Sequence, residues 1–445
     1  MGSRLFLYRS AVVASLAGFL FGFDTVVISG AEQTIQELWG LNSALHGWAI
    51  SMALWGTVLG SLIGGWPSEK FGRKTTLLWI GILYLSSAIG SALAPEVVSF
   101  MISRFIGGLG VGISTVAAPM FISEIAPPKY RGRLTGMFQF NIVFGILVAF
   151  LSNSLLGGLG ENAWRWMLGV ETLPALVFAL SCIGLPESPR WLIVHSHNRT
   201  GGLTILRKVN PDFSEEELGQ LVQEIEASAN TKKDSGKLFT RKLLRPAMLA
   251  FLVAFFNQLS GINAILYFAP RIFEMTGLES QAALLQSVGI GVTNLIFTFT
   301  GLWLIDRLGR RTLLYIGSFG YILSLGLTTW AFSSGNMGIV PITIFAFIAA
   351  HAIGQGTVIW VFISEIFPNR QRAFGQSLGS FTHWFFAAAL TLAFPLMAEA
   401  LKPQYIFGLF LTMMVLQLVW VRFFVPETKG ISLEKMEKSL QEIDI

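Results

Sequence analysis

Three ionisable residues lie inside long apolar stretches of this sequence, where a charge is costly. Asp24 lies in LFGFDTVVISG, Arg104 in ISRFIGGLGVG and Glu171 in WRWMLGVETLPAL. Ionisable groups within membrane spans are rare and usually serve the movement of ions or protons. A carboxylate that releases an arginine when it is protonated would act as a switch. We therefore predict a proton-coupling set made of Asp24, Arg104 and Glu171. The alternative is a static ion pair that braces the helices.

Amide and aromatic side chains form a second set, suited to binding a hydroxyl-rich compound. Residues 255–270, FFNQLSGINAILYFAP, contain four polar side chains in an apolar stretch: Asn257, Gln258, Asn263 and Tyr267. Ser260 and Gly261 allow a local helix break that would turn Gln258 toward Asn263 and Tyr267. An amide both donates and accepts, as a sugar hydroxyl does, and tryptophan offers a flat apolar face with one N–H. The predicted sugar-binding set also includes Gln139, Asn294, Trp360 and Trp384. For any single member, helix–helix hydrogen bonding is the alternative.

Three motifs occur twice at nearly one spacing. Gly72 and Gly309, in matching glycine–arginine loops, are 237 residues apart; the two ISEI segments, at Ile122 and Ile363, are 241 apart; PESPR and PETKG, at Pro186 and Pro426, are 240 apart. Such spacing indicates a duplicated half. In a membrane chain, duplicated halves are typical of transporters whose site lies between the halves.

The repeated motifs place acids beside bases, and we predict that they form a cytoplasmic gate. We expect Glu69 to pair with Arg73, and Asp306 with Arg310. Paired charges can lock two surfaces together. The simpler alternative is that the bases only orient the chain, but that does not explain the acids. The residues assigned to the gate are Glu69, Arg73, Glu124, Arg131, Arg133, Glu187, Arg190, Asp306, Arg310, Glu365, Arg370, Arg372 and Glu427.

The elements that must position these residues are membrane-spanning helices. Hydrophobic residues make up 53% of the chain and charged residues 13%, about half the charge of a soluble domain. Segments of about 20 apolar residues predict spans near 8–30, 45–66, 76–94, 98–120, 134–156, 164–185, 246–270, 283–305, 312–333, 339–364, 374–399 and 405–425. Between the sixth and seventh, FSEEELGQLVQEIEAS predicts a surface helix with a capped start, followed by a flexible TKKDSGK link.

The placement of charge predicts the orientation. Of the 31 lysines and arginines, 27 fall on one side of the predicted spans, Arg104 lies within a span, and only Arg165, Arg271 and Lys402 fall on the other side. Positive charge stays in the cytoplasm, so both termini and the central polar stretch are expected there. The bases are spread over short loops without interleaved aromatic residues, which argues against nucleic-acid binding.

We expect four regions: an N-terminal six-helix bundle at 1–186, a cytoplasmic helical linker domain at 187–245, a C-terminal six-helix bundle at 246–426 and a short cytoplasmic tail at 427–445. We expect a monomer, because one chain contains both halves. We also expect the protein to lie in a cell membrane, either plasma or inner. The sequence has no Cys/His spacing for a metal, no phosphate loop and no nucleophile–base set. We therefore expect no cofactor, no metal and no enzymatic activity. His46, His195 and His197 are predicted to be loop residues.

With PESPRWL, the doubled glycine–arginine loop, QLSGIN and the two ISEI segments, the chain resembles the sugar porter family of the major facilitator superfamily. The resemblance runs from LFGFD to PETKG. It implies an all-α membrane protein of twelve transmembrane helices in two six-helix bundles with a cytoplasmic helical linker domain, working by alternating access. It also implies sugar contacts from Gln139, Gln258, Asn263, Tyr267, Asn294, Gly356, Trp360 and Trp384, with Phe21 at the floor.

The same resemblance bears on coupling and cargo. Asp24 matches the acid of proton-coupled members, and Arg104 matches its partner. The chain departs from the family pattern at four positions. Asn257 replaces a glutamine, Glu69 an aspartate, Thr357 a proline and His383 an asparagine or glutamine. His351 and His383 match histidines of the fructose-carrying branch of animal facilitative transporters, although that branch lacks a tryptophan at position 360.

The sequence thus predicts a proton-coupled importer of a monosaccharide, a hexose, with a lean to fructose over glucose or galactose. A facilitative uniporter is the alternative, in which Asp24 and Arg104 are structural. A sugar sensor is less favoured, because only residues 431–445 follow PETKG and sensors on this fold carry long tails. A drug exporter is disfavoured, since GILVAFLSNSLLGG in the fifth span has no proline.

Overall fold

The computed structural model describes residues 3–231, 243–368, 371–431 and 436 of the 445-residue chain. Within these residues every regular element is helical. The first part of the chain forms α-helices at Ser3–Val27, Glu32–Leu38, Ser43–Ile63, Gly65–Phe71, Arg73–Leu93, Val97–Ile125, Pro128–Leu156, Ala163–Gly169 and Thr172–Ile183, with 3-10 turns at Ile28–Gly30 and Gly160–Asn162.

The rest of the chain is helical as well. Three helices between the two sets of spans cover Pro189–Val194, Arg199–Val209 and Glu215–Thr231. The later helices are Leu244–Leu259, Ile262–Tyr267, Ala269–Glu274, Ser280–Leu308, Arg310–Ser334, Val340–Ile353, Gln355–Ile366, Arg372–Ala400 and Pro403–Phe423, with a 3-10 turn at Met337–Ile339.

Twelve helical stretches of the described chain are long and apolar enough to cross a membrane, which confirms the predicted spans in number and order. We number them span 1 to span 12: Arg4–Gly30, Ser43–Ile63, Arg73–Leu93, Val97–Ile125, Lys129–Leu156, Gly160–Ile183, Leu244–Tyr267, Ser280–Leu308, Arg310–Ser334, Met337–Ile366, Arg372–Ala400 and Pro403–Phe423. Several run past the predicted ends; span 4, predicted at 98–120, continues to Ile125. Polar and charged residues in a last helical turn lower the local hydropathy without ending the helix.

The helices between the two sets of spans have a small core of their own. Its buried members are Ile193, Leu206, Leu218, Val222 and Ile225. The predicted surface helix is present at Glu215–Thr231. Its start is a capping box, because the Ser214 amide donates to Glu217 Oε2 at 2.7 Å and the Glu217 amide donates back to Ser214 Oγ at 3.2 Å. The predicted flexible link lies almost wholly outside the described residues.

The chain forms two compact units. The first contains Met1–Thr25, Trp55–Ala149 and Arg165–Ser235, and the second contains Val26–Leu54, Phe150–Trp164 and Gly236–Ile445. The ends of spans 1, 2, 5 and 6 that lie away from the repeated motifs thus belong to the same unit as the later six spans. The regional boundaries drawn from the sequence repeat, at 186, 245 and 426, stay a prediction.

Each unit has a buried interior and an apolar outer surface. In the first unit, side chains such as Tyr84, Phe121 and Phe178 form one hydrophobic cluster across several spans. Trp79 is nevertheless 64% exposed and Leu93 71% exposed. Large apolar surfaces of this kind are typical of contact with membrane lipid. The described chain therefore has the exterior of a membrane protein around a packed, partly polar interior.

Candidate functional site

The predicted acid–base partners are in contact inside the first unit. Arg104 Nη1 donates to Asp24 Oδ1 at 2.6 Å, and Nη2 donates to the Asp24 backbone carbonyl at 3.0 Å. Each residue is 1% exposed. Gly107 lies one turn after Arg104, and a Cβ at this position would be 3.6 Å from Asp24 Oδ1. A buried pair of this kind is stable only while both partners keep their charge.

Glu171 joins the same polar interior. It directly precedes the helix Thr172–Ile183 and is 2% exposed. Its carboxyl is within electrostatic reach of both Asp24 and Arg104. Within the described residues, Oε1 of Glu171 is buried and has no hydrogen-bond partner. Two carboxyls and one arginine therefore share one buried region, so that the arginine has a second acid within reach if the first is neutralised.

Span 7 is broken in the middle, as Ser260 and Gly261 predict. The helix Leu244–Leu259 ends there and Ile262–Tyr267 begins after it. Gly261 has φ +89°, and a Cβ on it would overlap the ring of Phe410. Ser260 Oγ donates to the Asn257 carbonyl at 2.6 Å and accepts from the Ile262 amide at 3.3 Å, which satisfies backbone groups at the break.

The break brings the polar side chains of span 7 together in the second unit. Gln258 Oε1 accepts from Asn263 Nδ2 at 2.6 Å, and Gln258 Nε2 donates to Asn257 Oδ1 at 2.9 Å. Gln258 Nε2 also lies 3.2 Å from both ring nitrogens of His383 in span 11. We call Asn257, Gln258, Asn263 and His383 the amide cluster. Gln258 thus bonds to the other three members, and amides of this kind can both donate to and accept from hydroxyls.

Aromatic rings surround the amide cluster. The ring of Trp360, from span 10, lies 5.2 Å from that of His383, and the Trp384 ring lies 4.7 Å from it. Gln376, which was not predicted from the sequence, donates to the Trp360 carbonyl at 3.0 Å. Aromatic faces with a few polar groups placed among them are typical of small-molecule binding sites.

His351, the other histidine predicted for the sugar site, bonds to a tyrosine. The Tyr321 hydroxyl, not selected from the sequence, lies 2.6 Å from its Nδ1. Span 10 is broken at Gly354, and a Cβ on Gly356 would be 3.2 Å from the His351 ring. Gly356 is thus placed where a larger residue would press on this histidine.

The remaining predicted sugar residues are distributed over both units. Tyr267 is 1% exposed at the end of span 7, and Asn294 is half-buried in span 8, where its Oδ1 accepts from Thr298 Oγ1 at 3.3 Å. Phe21 and Gln139 are half-buried in spans 1 and 5 of the first unit. Their roles stay predictions.

The repeated motifs build the same cluster in each unit. In the first, Arg73 Nε and Nη2 donate to the two oxygens of Glu124 at 2.9 and 2.8 Å. In the second, Arg310 Nε and Nη2 donate to the two oxygens of Glu365 at 2.9 and 2.7 Å. These bidentate pairs join the starts of spans 3 and 9 to the ends of spans 4 and 10.

A second acid caps each of these helix starts. Glu187 Oε1 accepts from the Arg73 and Lys74 amides at 2.8 and 3.1 Å, and Glu427 accepts from the Arg310 and Arg311 amides at 2.9 and 3.1 Å. Burial raises the pKa of the Glu187 carboxyl above its ordinary value, and the amide hydrogen bonds oppose that rise. The carboxylates complement the positive ends of two helices.

The expected pairing of Glu69 with Arg73 is wrong. The Arg73 guanidinium bonds to Glu124, whereas Glu69 is exposed and its backbone carbonyl accepts from the Trp191 indole at 2.7 Å. Glu124 has the better geometry because it meets Arg73 with both oxygens. The pair of Asp306 and Arg310 is present at 3.2 Å, beside the shorter bonds to Glu365.

The other described arginines predicted for the gate lie outside these two clusters. Arg131 Nε donates to the Ser123 carbonyl at 3.1 Å, and Arg133 is exposed. Arg190 and Arg372 are half-buried at the starts of their helices. Arg370 lies outside the described residues. The gate function of the whole set stays a prediction.

A cluster at the opposite end of the spans was missed. Arg271, just beyond span 7, donates through Nε and Nη2 to the two oxygens of Glu32 at 2.8 and 2.7 Å. His46 Nε2 lies 2.7 Å from Glu32 Oε2. The expectation that His46 is a loop residue is wrong, because it lies in the helix Ser43–Ile63 and is fully buried. Its buried partner, Glu32, is distant enough in sequence to give no local signal.

His195 and His197 are exposed and outside helices, as expected. Among the residues that the structure describes, no group of three or more His, Cys, Asp or Glu side chains is arranged to hold a metal ion.

Comparison with known proteins identifies the class. The family described as sugar (and other) transporters matches residues 10–440. The chain is 35% identical to the arabinose-proton symporter of Bacillus subtilis (strain 168), over 97% of this chain and 95% of that one. It is 34% identical to the galactose-proton symporter of Escherichia coli (strain K12), over 96% and 93%. It also matches the inward-open structure of the xylose transporter XylE from E. coli with a TM-score of 0.86 and 31% identity, covering 97% of this chain and 99% of that one.

The chain therefore belongs to the sugar porter family of the major facilitator superfamily. The resemblance found in the motifs is confirmed, and so is the fold class: an all-α membrane protein with the major facilitator fold. It is a multi-pass membrane protein, and the members of its family are transporters.

Proposed function

We propose that this protein is a proton-coupled monosaccharide importer that works by alternating access. The observation that carries the proposal is the buried contact of Asp24 with Arg104, with Glu171 within reach. Proton symporters of arabinose and galactose among its relatives support the same conclusion. The amide cluster and the two tryptophans supply the sugar-binding chemistry.

The coupling step follows from the chemistry of the buried acids. While Asp24 is ionised, its carboxylate holds Arg104. A proton taken up by Asp24 removes that charge and leaves Arg104 buried without its counter-ion, which is costly. Glu171 is the second acid that the guanidinium can then approach. Movement of Arg104 between the two carboxyls would link one proton to a change in packing of spans 1, 4 and 6.

For the cargo we propose a hexose, with fructose ranked ahead of glucose and galactose. The support is His383, a member of the amide cluster at 3.2 Å from Gln258. The family resemblance implies an asparagine or glutamine at this position. An imidazole and an amide offer hydroxyls different donor geometry. The second histidine, His351, is held in place by the Tyr321 hydroxyl.

We further propose a location in the plasma or inner membrane, with both termini cytoplasmic and the chain acting as a monomer. The bias of 27 among 31 basic residues to one side supports the orientation. The repeated charge clusters around Arg73 and Arg310 are then a gate on the cytoplasmic side.

The experiment is a pH measurement outside lightly buffered proteoliposomes while fructose, glucose, galactose, arabinose or xylose is added. A symporter consumes external protons as the sugar enters, so we expect alkalinisation with the transported sugar and none with the others. We expect fructose to be the sugar that gives this signal.

The facilitative uniporter is the rival outcome of the same measurement. Labelled sugar that enters with no pH change would show uniport, and Asp24 and Arg104 would then brace the helices. A signal with a pentose alone would overturn the hexose assignment and leave the coupling intact.

A further inference from the structure

We propose that Glu32 positions the outer half of span 7 by holding Arg271, and that this contact keeps the amide cluster closed from that end. "Outer" here means the ends of the spans opposite the repeated motifs. The inference rests on the proposed transport function, because a carrier must open and close that end. We call Glu32, His46, Arg271 and Gln36 the outer clamp.

Glu32 is the centre of the outer clamp. Both of its oxygens accept from the Arg271 guanidinium, at 2.8 and 2.7 Å, and Arg271 Nη2 also donates to Gln36 Oε1 at 2.7 Å. Glu32 and His46 are 0% exposed. An ionised carboxylate can only accept, so His46 donates to it through Nε2. All four residues belong to the second unit.

The electrostatic environment favours a charged Arg271 that stays paired with Glu32. Burial of the Arg271 guanidinium lowers its pKa, but the hydrogen bonds and the charge of Glu32 outweigh burial, and the pKa lies above its ordinary value. A bidentate, hydrogen-bonded pair fixes orientation as well as distance.

The clamp acts on the segment that bears the sugar-binding side chains. Beyond the break at Gly261, the short helices Ile262–Tyr267 and Ala269–Glu274 carry Asn263 and Arg271. Phe268, between them, stacks on Phe394 at 4.7 Å and meets the His46 ring at 6.3 Å. A second bond, from Gln33 Nε2 to Glu274 Oε2 at 2.8 Å, joins the helix Glu32–Leu38 to the helix Ala269–Glu274, as the bonds between Glu32 and Arg271 do.

The geometry thus gives the outer half of span 7 a hinge at one end and a clamp at the other. Short segments on either side of a left-handed glycine can turn as rigid pieces when the contact that holds them is lost. Loss of the Glu32 carboxylate should therefore free this half-helix without touching the amide cluster directly.

The test uses a reporter cysteine in a turn that packs against the helices Ile262–Tyr267 and Ala269–Glu274. Ser29 is 2% exposed in the turn Ile28–Gly30, and its Oγ has no hydrogen-bond partner among the described residues. Ser29→Cys is introduced after Cys182, the only cysteine, is changed to serine. Labelling by a membrane-impermeant maleimide is timed for purified protein in nanodiscs, with no sugar and no pH gradient.

Four further variants are compared in this background. They are Glu32→Gln, Arg271→Gln, the double variant Glu32→Gln/Arg271→Gln, and the control Glu279→Gln, which removes one exposed carboxylate near the start of span 8. We expect labelling to accelerate by about tenfold or more in the first three, within the range by which one contact biases a conformational equilibrium. The control should stay within about twofold of the parent.

The double variant keeps the test decisive, because it leaves no unpaired buried charge and can fold where a single variant does not. Unfolding temperatures are recorded for each variant, so that opening is separated from general loss of structure. Labelling at the parent rate in the folded double variant would overturn the inference. Labelling needs neither sugar nor protons, so this failure is distinct from failure of the proposed function.

Discussion

At the scale of single residues, the polar side chains of the amide cluster are held by hydrogen bonds to Gln258. Gln258 illustrates this, since its amide bonds to Asn257 and Asn263 and meets His383. Such groups are ready to exchange protein partners for hydroxyls at little net cost. Binding strength should therefore depend on each member of the amide cluster.

Gln258→Ala and Asn263→Ala should each weaken sugar binding by about 1–3 kcal/mol, because hydroxyls and neighbouring amides lose a buried partner. The measurement is isothermal titration of the sugar that gives the pH signal. Asn153→Ala is the matched control, since it removes a buried amide that donates to the Val27 carbonyl at 3.0 Å outside the amide cluster. Unchanged affinity in both cluster variants would move the site elsewhere.

The sequence predicted a functional residue where its side chain was unusual for its surroundings. Asp24 and Arg104 are charges in apolar stretches, and their partnership followed because few other partners exist there. Glu32, His46 and Arg271 gave no such signal, because each stands near a span end where polar residues are common. Only the fold brings Glu32 and Arg271, 239 positions apart, into contact.

At the scale of helices, hydropathy predicted all twelve spans because lipid imposes length and apolarity on each one. The break in span 7 was predictable from Ser260 and Gly261. The break in span 10 at Gly354 was not, since a glycine in a glycine-rich apolar helix carries no distinct signal. The starts of spans 3 and 9 share one arrangement: a glycine with φ near +90° precedes an arginine whose backbone amide donates to a glutamate.

Gly309→Ala should lower stability by about 1–3 kcal/mol, because φ +91° with ψ 166° is a region open essentially to glycine alone. A Cβ there would also meet the Glu427 carboxylate that caps the helix. The measurement is the unfolding temperature in detergent. Gly326→Ala is the control in the same helix, where an added Cβ meets open space. Equal behaviour of the two variants would contradict the capping account.

At the scale of the molecule, the sequence repeat gives two halves, while the compact units cut across them near the outer ends of spans 1, 2, 5 and 6. The repeat reflects duplication of the sequence, whereas the compact units reflect which segments pack together. Hydropathy and repeats carry no information on that packing, so the outer clamp was beyond reach of the sequence. The central claim, proton coupling through Asp24, concerns the behaviour of the whole carrier.

The most direct test of that claim compares the parent with Asp24→Asn in proteoliposomes under an imposed pH gradient, inside alkaline. Two quantities are measured for the same sugar: accumulation above the external concentration, and exchange of labelled for unlabelled sugar with no gradient. Asparagine keeps the shape of the side chain but cannot take up the proton. We predict that Asp24→Asn loses accumulation and retains exchange. Accumulation by Asp24→Asn to the level of the parent would contradict the account.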